Sequence, residues 1–209
     1  MSAKSEAIFG LQCFWGSEVK FGILEGVIST SVGYTGGSTP HPTYKNLSDH
    51  TEVVKVVFDS NIITYSQLLE TLWSSHDPVA TYKTQYKSAI FCTTDPQKQL
   101  AEESLQAKQT QLSQPIVTEI LALNVYYLAE HYHQKYFLRK HPTLLSELAL
   151  TDSQLVDSPV ATRLNSYCAG FGSVQQLDND LKSHGLRLSP HNEALVKELI
   201  RGGPNLGEC

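Results

Sequence analysis

Ala7-Ile8-Phe9-Gly10-Leu11-Gln12-Cys13-Phe14-Trp15-Gly16-Ser17-Glu18-Val19-Lys20-Phe21-Gly22-Ile23-Leu24-Glu25 is the stretch whose reading decides the fold. Ala7 to Leu11 is a short apolar run and reads as a buried strand, while Ser17 to Glu25 has the spacing of a short amphipathic helix. A strand that runs almost directly into a helix is the first half of a β-α-β unit. The following residues supply the rest. Gly26 to Tyr34 is rich in strand formers, Thr35 to His50 is a loop dense in turn residues, and Glu52 to Asp59 is a clear strand. Tyr65 to Ser75 carries a helical stripe at Leu68, Leu69, Leu72 and Trp73, and Gln85 to Thr93 returns as a strand around Ala89-Ile90-Phe91-Cys92.

The order β-α-β-β-α-β is the split βαβ arrangement of ferredoxin-like folds, with helices on one face of a mixed sheet. The expected class is therefore α/β (α+β), a two-layer sandwich. Asp95 to Ser113 adds a long polar helix with Pro96 at its start, Pro115 to Leu123 a strand, and Leu128 to Lys140 a helix. From about His141 the sequence turns polar and reads as loop-rich, with short helices at Val174 to Ser183 and Asn192 to Ile200. The expected division is a catalytic α/β core over residues 1–145 and a loop-rich C-terminal extension over 146–209.

The 209 residues, 41% hydrophobic, suffice for one sizeable core with an appended segment. A net charge of −5 with scattered basic residues offers no stripe to neutralise phosphates, which argues against nucleic acid as a partner. The segment before the first strand has no long apolar run or cleavage-site pattern, and no later run approaches a membrane span, so a cytoplasmic protein without a membrane segment is expected. Cys13, Cys92, Cys168 and Cys209 are too widely spaced for a static disulfide framework in a reducing compartment, so any disulfide is expected to be transient and catalytic. No metal is expected, because C-x-x-C and H-E-x-x-H spacings are both missing.

Cys13 lies near the start of the first helix, where unpaired N–H groups and the helix dipole favour a thiolate. Phe14 and Trp15, if turned outward, wall an apolar pocket beside the sulfur. The plainer reading is a cysteine buried as inert packing. Cys92, mid-strand between Phe91 and Thr93, reads as buried and inert. Cys168, between Tyr167 and Ala169-Gly170-Phe171-Gly172, reads as a mobile thiol.

Gly10 to Gly16 is similar to the Gly-Cys-Phe-Trp-Gly signature of the A-type peptide methionine sulfoxide reductases, with Gln12 in place of its first glycine. Val32-Gly33-Tyr34-Thr35-Gly36-Gly37, Pro42-Thr43-Tyr44 and His50-Thr51-Glu52-Val53-Val54 resemble further motifs of that family. So do His76-Asp77-Pro78, Thr84-Gln85-Tyr86-Lys87-Ser88-Ala89-Ile90 and Ala129-Glu130-His131-Tyr132-His133-Gln134-Lys135-Tyr136. The resemblance covers roughly residues 6 to 140, with Ser166 to Gly170 as an outlying match to a Gly-Tyr-Cys-Gly tail.

The resemblance implies reduction of methionine S-sulfoxide, free or in oxidised proteins, by Cys13. Glu52 would be the acid, kept protonated in an apolar site, because a sulfoxide sulfur is a poor electrophile until its oxygen is protonated. Tyr44 and Tyr86 would hydrogen-bond the sulfoxide oxygen, and Phe14 and Trp15, with Tyr136, would bind the S-methyl end. A Cys13 sulfenic acid would condense with Cys168 as resolving thiol. Cys209 would relay the disulfide to thioredoxin, the external reductant in place of any bound cofactor, or be an idle surface thiol. A monomer is expected. Taken singly, Tyr44 is equally readable as a turn residue, Tyr86 as strand-edge packing and Glu52 as a solvated carboxylate.

Five residues separate Pro78 from Thr84, where the family has a longer Gly-rich loop bearing an Asn-Asp pair, so its aspartate has no counterpart. The Tyr44 to Glu52 connection is also short, and about 25 additional residues precede Cys168. Two rival readings use the same residues. One is a hydrolase or transferase pairing Cys13 with His50, His76 or His133 and with Asp77 or Glu130. The other is a noncatalytic module in which Phe14, Trp15 and the tyrosines cage a methylated or sulfoxide group.

Overall fold

The computed structural model describes residues 3–207. Its first elements are β1 (Lys4–Gly10), α1 (Phe14–Gly22), β2 (Val27–Thr35), β3 (Thr51–Asp59), α2 (Tyr65–Ser75), β4 (Ala89–Cys92), α3 (Asp95–Gln109), β5 (Glu119–Ala122) and β6 (Tyr127–Leu128). The strands form one sheet in the order β5-β4-β1-β3-β2-β6. β3 is antiparallel to both β1 and β2, so it is inserted between two parallel strands joined through α1, and β4 lies antiparallel on the other side of β1. This is the expected split βαβ core, and the parallel β4–β5 pair makes the sheet mixed.

Strand alternation sorts the side chains. Ala7, Phe9, Val54, Val56, Phe58, Ile90 and Cys92 face α2 and α3, where Leu68, Leu69, Leu72 and Trp73 complete the main core. Ile8, Val53, Ala89 and Phe91 face the other way against Leu121, Leu123 and Tyr126. Each fully buried Leu or Phe contributes about 1.5–3 kcal/mol of transfer free energy. Thr64 and Gln67 form a reciprocal capping box at the start of α2.

The helix expected over Leu128 to Lys140 is not one element. The Gln134 side chain takes the place of a strand there: Nε2 donates to the carbonyls of Val32 (2.8 Å) and Ala129 (3.0 Å), and Oε1 accepts from Val32 N (3.0 Å). Lys135 then adopts a left-handed backbone at φ 57°, which no continuing helix tolerates, and only α4 (Tyr136–Arg139) is α-helical.

The extension is helical rather than loop-rich, comprising α5 (Pro142–Glu147), α6 (Asp152–Asp157), α7 (Pro159–Cys168), α8 (Val174–Ser183) and α9 (Pro190–Gly202). Thr151, Ser158, Ser173 and Ser189 cap α6, α7, α8 and α9 through their side chains. The polar residues that suggest loops are thus the punctuation between helices. Leu144, Leu155, Leu164, Leu177, Val196 and Ile200 form a second core, which also takes in Val19 of α1.

α1 and α7 pack closely because position 22 is glycine: a Cβ there would sit 2.8 Å from Ser166 Oγ. Below that contact lies a buried ion pair. Lys135 Nζ donates to Glu18 Oε1 at 2.9 Å and to Thr30 O at 2.5 Å, while Asn165 Nδ2 and Thr30 Oγ1 donate to the same carboxylate at 3.1 Å each. Arg163 of α7 reaches the C-terminal end of α1, donating to the carbonyl of Ile23, and pairs with Asp180 of α8 at 2.6 Å.

Candidate active site

β1 ends at Gly10, Gln12 turns the chain through a left-handed backbone (φ 69°), and Cys13 occupies the N-cap position of α1. Ser17 Oγ fastens the turn by donating to the carbonyls of Leu11 and Cys13, each at 3.1 Å. Cys13 thereby faces a cavity of about 390 Å³ that Phe14, Trp15, Tyr44, Glu52 and Tyr86 also line. Five sequence-derived candidates thus share one space with the thiol. Lys20, Tyr82 and Leu206 line it as well, and sequence reading misses all three as site residues.

Glu52 is buried near the start of β3, with only 1% of its surface exposed. Its Oε1 accepts from Gln85 Nε2 at 2.7 Å and its Oε2 from the Phe14 N–H at 3.2 Å. Burial is the dominant influence and pushes the carboxyl from 4.5 to about 7, against the opposing pull of Gln85, Phe14 N–H and Lys83. Glu52 therefore holds its proton on a substantial fraction of molecules at neutral pH. Burial, then the neighbouring Glu52, raise the Tyr86 phenol, which stays a donor across the physiological range. Tyr86 also hydrogen-bonds to Tyr44, whose backbone N–H donates to Glu130 Oε1 at 2.9 Å. Glu130 in turn accepts from the buried Tyr34 hydroxyl at 2.8 Å.

Tyr136 does not line the cavity. It stacks on the outer face of Trp15, ring centroids 3.7 Å apart and planes 3° from parallel, so its link to the site is through Trp15. The Trp15 indole N–H donates to His133 Nδ1 at 3.2 Å, and His133 packs on the Phe14 ring at 5.1 Å. His133, His50 and His76 are all absent from the cavity lining. His50 bonds Thr39 O at 2.7 Å, and His76 bonds Leu72 O at 2.9 Å and Ser88 Oγ at 2.6 Å, so the hydrogen bonds of both rings go to structural partners, which speaks against the hydrolase reading.

Cys168 differs from the expected mobile thiol. It is buried at the last turn of α7, and burial raises its pKa well above the usual thiol range. The flanking glycines, with φ 82° at Gly170 and 84° at Gly172, stop the helix rather than free the chain. Cys168 borders a second cavity of about 340 Å³, shared with Lys140, His141, Gly203, Asn205 and Gly207. Cys92 is buried, as read from sequence. Cys209 lies outside the described residues. Among the described residues, no group of three or more His, Cys, Asp or Glu side chains is arranged to hold a metal ion, and no helix is long and apolar enough to cross a membrane.

Residues 5–160 match the family model described as peptide methionine sulfoxide reductase. The chain belongs to that family. It is therefore an enzyme, an oxidoreductase that reduces methionine sulfoxide. Residues 149–201 of this reductase match a second model, the helical domain of selenoprotein methionine sulfoxide reductase A, in agreement with the helices found there. It is 41% identical to a peptide methionine sulfoxide reductase of Drosophila melanogaster over 88% of this chain and 76% of that one. It is 38% identical to peptide methionine sulfoxide reductase A5 of Arabidopsis thaliana over 94% and 76% of the two chains. Among solved structures, methionine sulfoxide reductase A of Corynebacterium diphtheriae superposes with a TM-score of 0.63 at 36% identity, covering 68% of this chain and 77% of that one. Reduced Mxr1 of Saccharomyces cerevisiae gives 0.62 at 26% identity, covering 66% and 86%.

Proposed function

We propose that this reductase acts on the S epimer of methionine sulfoxide, free or in oxidised proteins, with Cys13 as nucleophile and Glu52 as acid. The Cys13 thiolate attacks the sulfoxide sulfur while Glu52 protonates the oxygen, and Tyr44 and Tyr86 donate hydrogen bonds to it. The oxygen passes to Cys13 as a sulfenic acid and methionine leaves. A second thiol then displaces water to form a disulfide, which thioredoxin, used in place of a bound cofactor, reduces by dithiol exchange. Phe14 and Trp15 hold the S-methyl group, with Tyr136 bracing Trp15.

The observation that carries this reading is the buried Glu52 carboxyl, raised to about 7, in the cavity that Cys13 lines. For the second thiol, chain reach favours Cys209 over the expected Cys168. Leu206 lines the Cys13 cavity, and three further residues span at most about 10 Å when extended. Cys168 is buried with its thiol pushed up, a poor thiolate source, and is better suited to a later exchange with Cys209, because Gly207 borders its cavity.

The test is single-turnover analysis of the reduced protein with racemic methionine sulfoxide. Loss of the S epimer alone, one methionine per Cys13 and a Cys13–Cys209 disulfide are expected. Cys209→Ser is expected to complete the first turnover but stop before the disulfide. A Cys13–Cys168 disulfide in the parent would return the resolving role to Cys168, and no methionine would sink the mechanism.

A further inference from the structure

The inner wall of the Cys13 cavity is accounted for by the groups that would meet a sulfoxide and its methyl. Tyr82 and Leu206 are not, and they come from segments remote from the chemistry: the short connection between α2 and Thr84, and the chain after α9. We propose that Tyr82 and Leu206 form an outer subsite that takes an apolar side chain next to the oxidised methionine of a peptide. This deepens the reading of the cavity as the methionine sulfoxide site and rests on it.

Three observations support it. First, at about 390 Å³ the cavity lies in the range that holds whole small-molecule ligands, more than one side chain requires. Second, Leu206 is held in place. Asn205 N donates to Ala169 O at 3.0 Å, and a Cβ on Gly170 would fall 2.0 Å from the Gly203 carbonyl, so the chain after α9 is seated tightly on the end of α7. Leu206 itself is half-buried against the second core while it borders the cavity. Third, Tyr82 lines the same cavity yet leaves 37% of its surface exposed, an aromatic face open to a ligand. Lys20, which also lines the cavity, donates its ammonium to Ser75 O at 2.7 Å, so the charge has a backbone partner. The chemistry offered to a neighbouring residue is therefore apolar, from an aromatic ring on one side and a leucine on the other.

The test compares kcat/KM for the S epimers of N-acetyl-Xaa-Met(O)-amide and N-acetyl-Met(O)-Xaa-amide, with Xaa as Phe, Ala or Asp, alongside N-acetyl-Met(O)-amide. The parent is expected to favour Phe over Ala about tenfold on one side of the methionine, or about 1.4 kcal/mol. In Leu206→Ala and Tyr82→Ser the Phe-to-Ala ratio is expected to fall to within twofold, while Tyr82→Leu keeps it. Because the readout is a ratio within one variant, any general loss of activity divides out. A parent ratio within twofold on both sides, a preference for Asp, or a ratio unchanged in both variants would overturn the subsite. Turnover of N-acetyl-Met(O)-amide with no preference rejects the subsite alone, whereas no methionine from any peptide rejects the sulfoxide-site reading with it.

Discussion

Replacing Glu52 by glutamine tests the proposed acid through stability and rate together. A carboxyl moved from 4.5 in the unfolded chain to about 7 in the fold binds its proton more tightly when folded. Its contribution to stability is therefore complete below pH 4.5 and is lost as the pH rises through 7. At about 1.4 kcal/mol per pH unit, the loss reaches about 3 kcal/mol by pH 8. Glutamine has nearly the same shape, and its amide oxygen can still accept from Phe14 N–H, while Gln85 reverses its amide to receive the new N–H. The difference in unfolding free energy, Glu52→Gln minus parent, measured by urea titration from pH 4 to 9, is expected to climb by about 3 kcal/mol in favour of the variant. Groups common to both proteins cancel in that difference. In parallel, parent kcat/KM is expected to decline above pH 7 as Glu52 loses its proton, and the variant to run about 10²–10⁴-fold slower without that Glu52-dependent decline. A stability difference flat to within 0.5 kcal/mol on the ~3 kcal/mol scale would mean an ordinary Glu52 carboxyl and would refute the acid assignment.

Lys135→Met strands the buried Glu18 carboxylate and is expected to cost about 3–5 kcal/mol in urea unfolding, most of it recovered in the double variant with Glu18→Gln. Gly22→Ala drives a methyl to within 2.8 Å of Ser166 Oγ and is expected to lower stability by about 1–3 kcal/mol, with partial relief from Ser166→Ala. Tyr136→Leu removes the ring stacked on Trp15, a contact of about 1 kcal/mol, and is expected to raise KM for methionine sulfoxide severalfold with a smaller change in kcat. An equal fall in kcat with KM unmoved would place Tyr136 at the reacting oxygen instead.

The β-α-β-β-α-β core was legible because its apolar residues are patterned. The continuous apolar runs of β1 and β3 mark strands buried on both faces, and the Leu68, Leu69, Leu72, Trp73 stripe of α2 marks the buried face of a helix. The shared cavity of Cys13 and Glu52 was legible for a related reason: both stand where an apolar strand meets a loop, and the fold brings those strand ends together. The failures share a different cause. Gln134 does the work of a strand with its side chain, which no backbone periodicity records. Ser caps followed by proline at Ser158-Pro159 and Ser189-Pro190 mimic loop composition, and Gly170 and Gly172 mark the end of a helix rather than a mobile thiol. Tyr82 and Leu206 carry no pattern, since only long-range packing brings them to the cavity.

α1 explains why a helical extension is attached to this core at all. Cys13 is its N-cap, its middle carries Glu18 into the buried pair with Lys135, and the carbonyl of its C-cap residue Ile23 receives Arg163 from α7. Cys13, the proposed nucleophile, is thus positioned from both sides of one short helix: from the core side through Leu11 and Glu52, and from the extension through Asn165 and Arg163, with Lys135 bridging Glu18 of α1 to the Val156 carbonyl of α6. Nine residues of helix are too few to hold a fixed orientation by themselves. The same extension ends in the segment that places Leu206 at the cavity, so loosening α7 from α1 disturbs the thiol and the cavity rim together. Lys135→Met therefore separates two origins of activity: if the extension only covers apolar surface, the folded fraction retains parental kcat/KM, whereas if it positions α1, kcat/KM falls even where circular dichroism shows the variant fully folded.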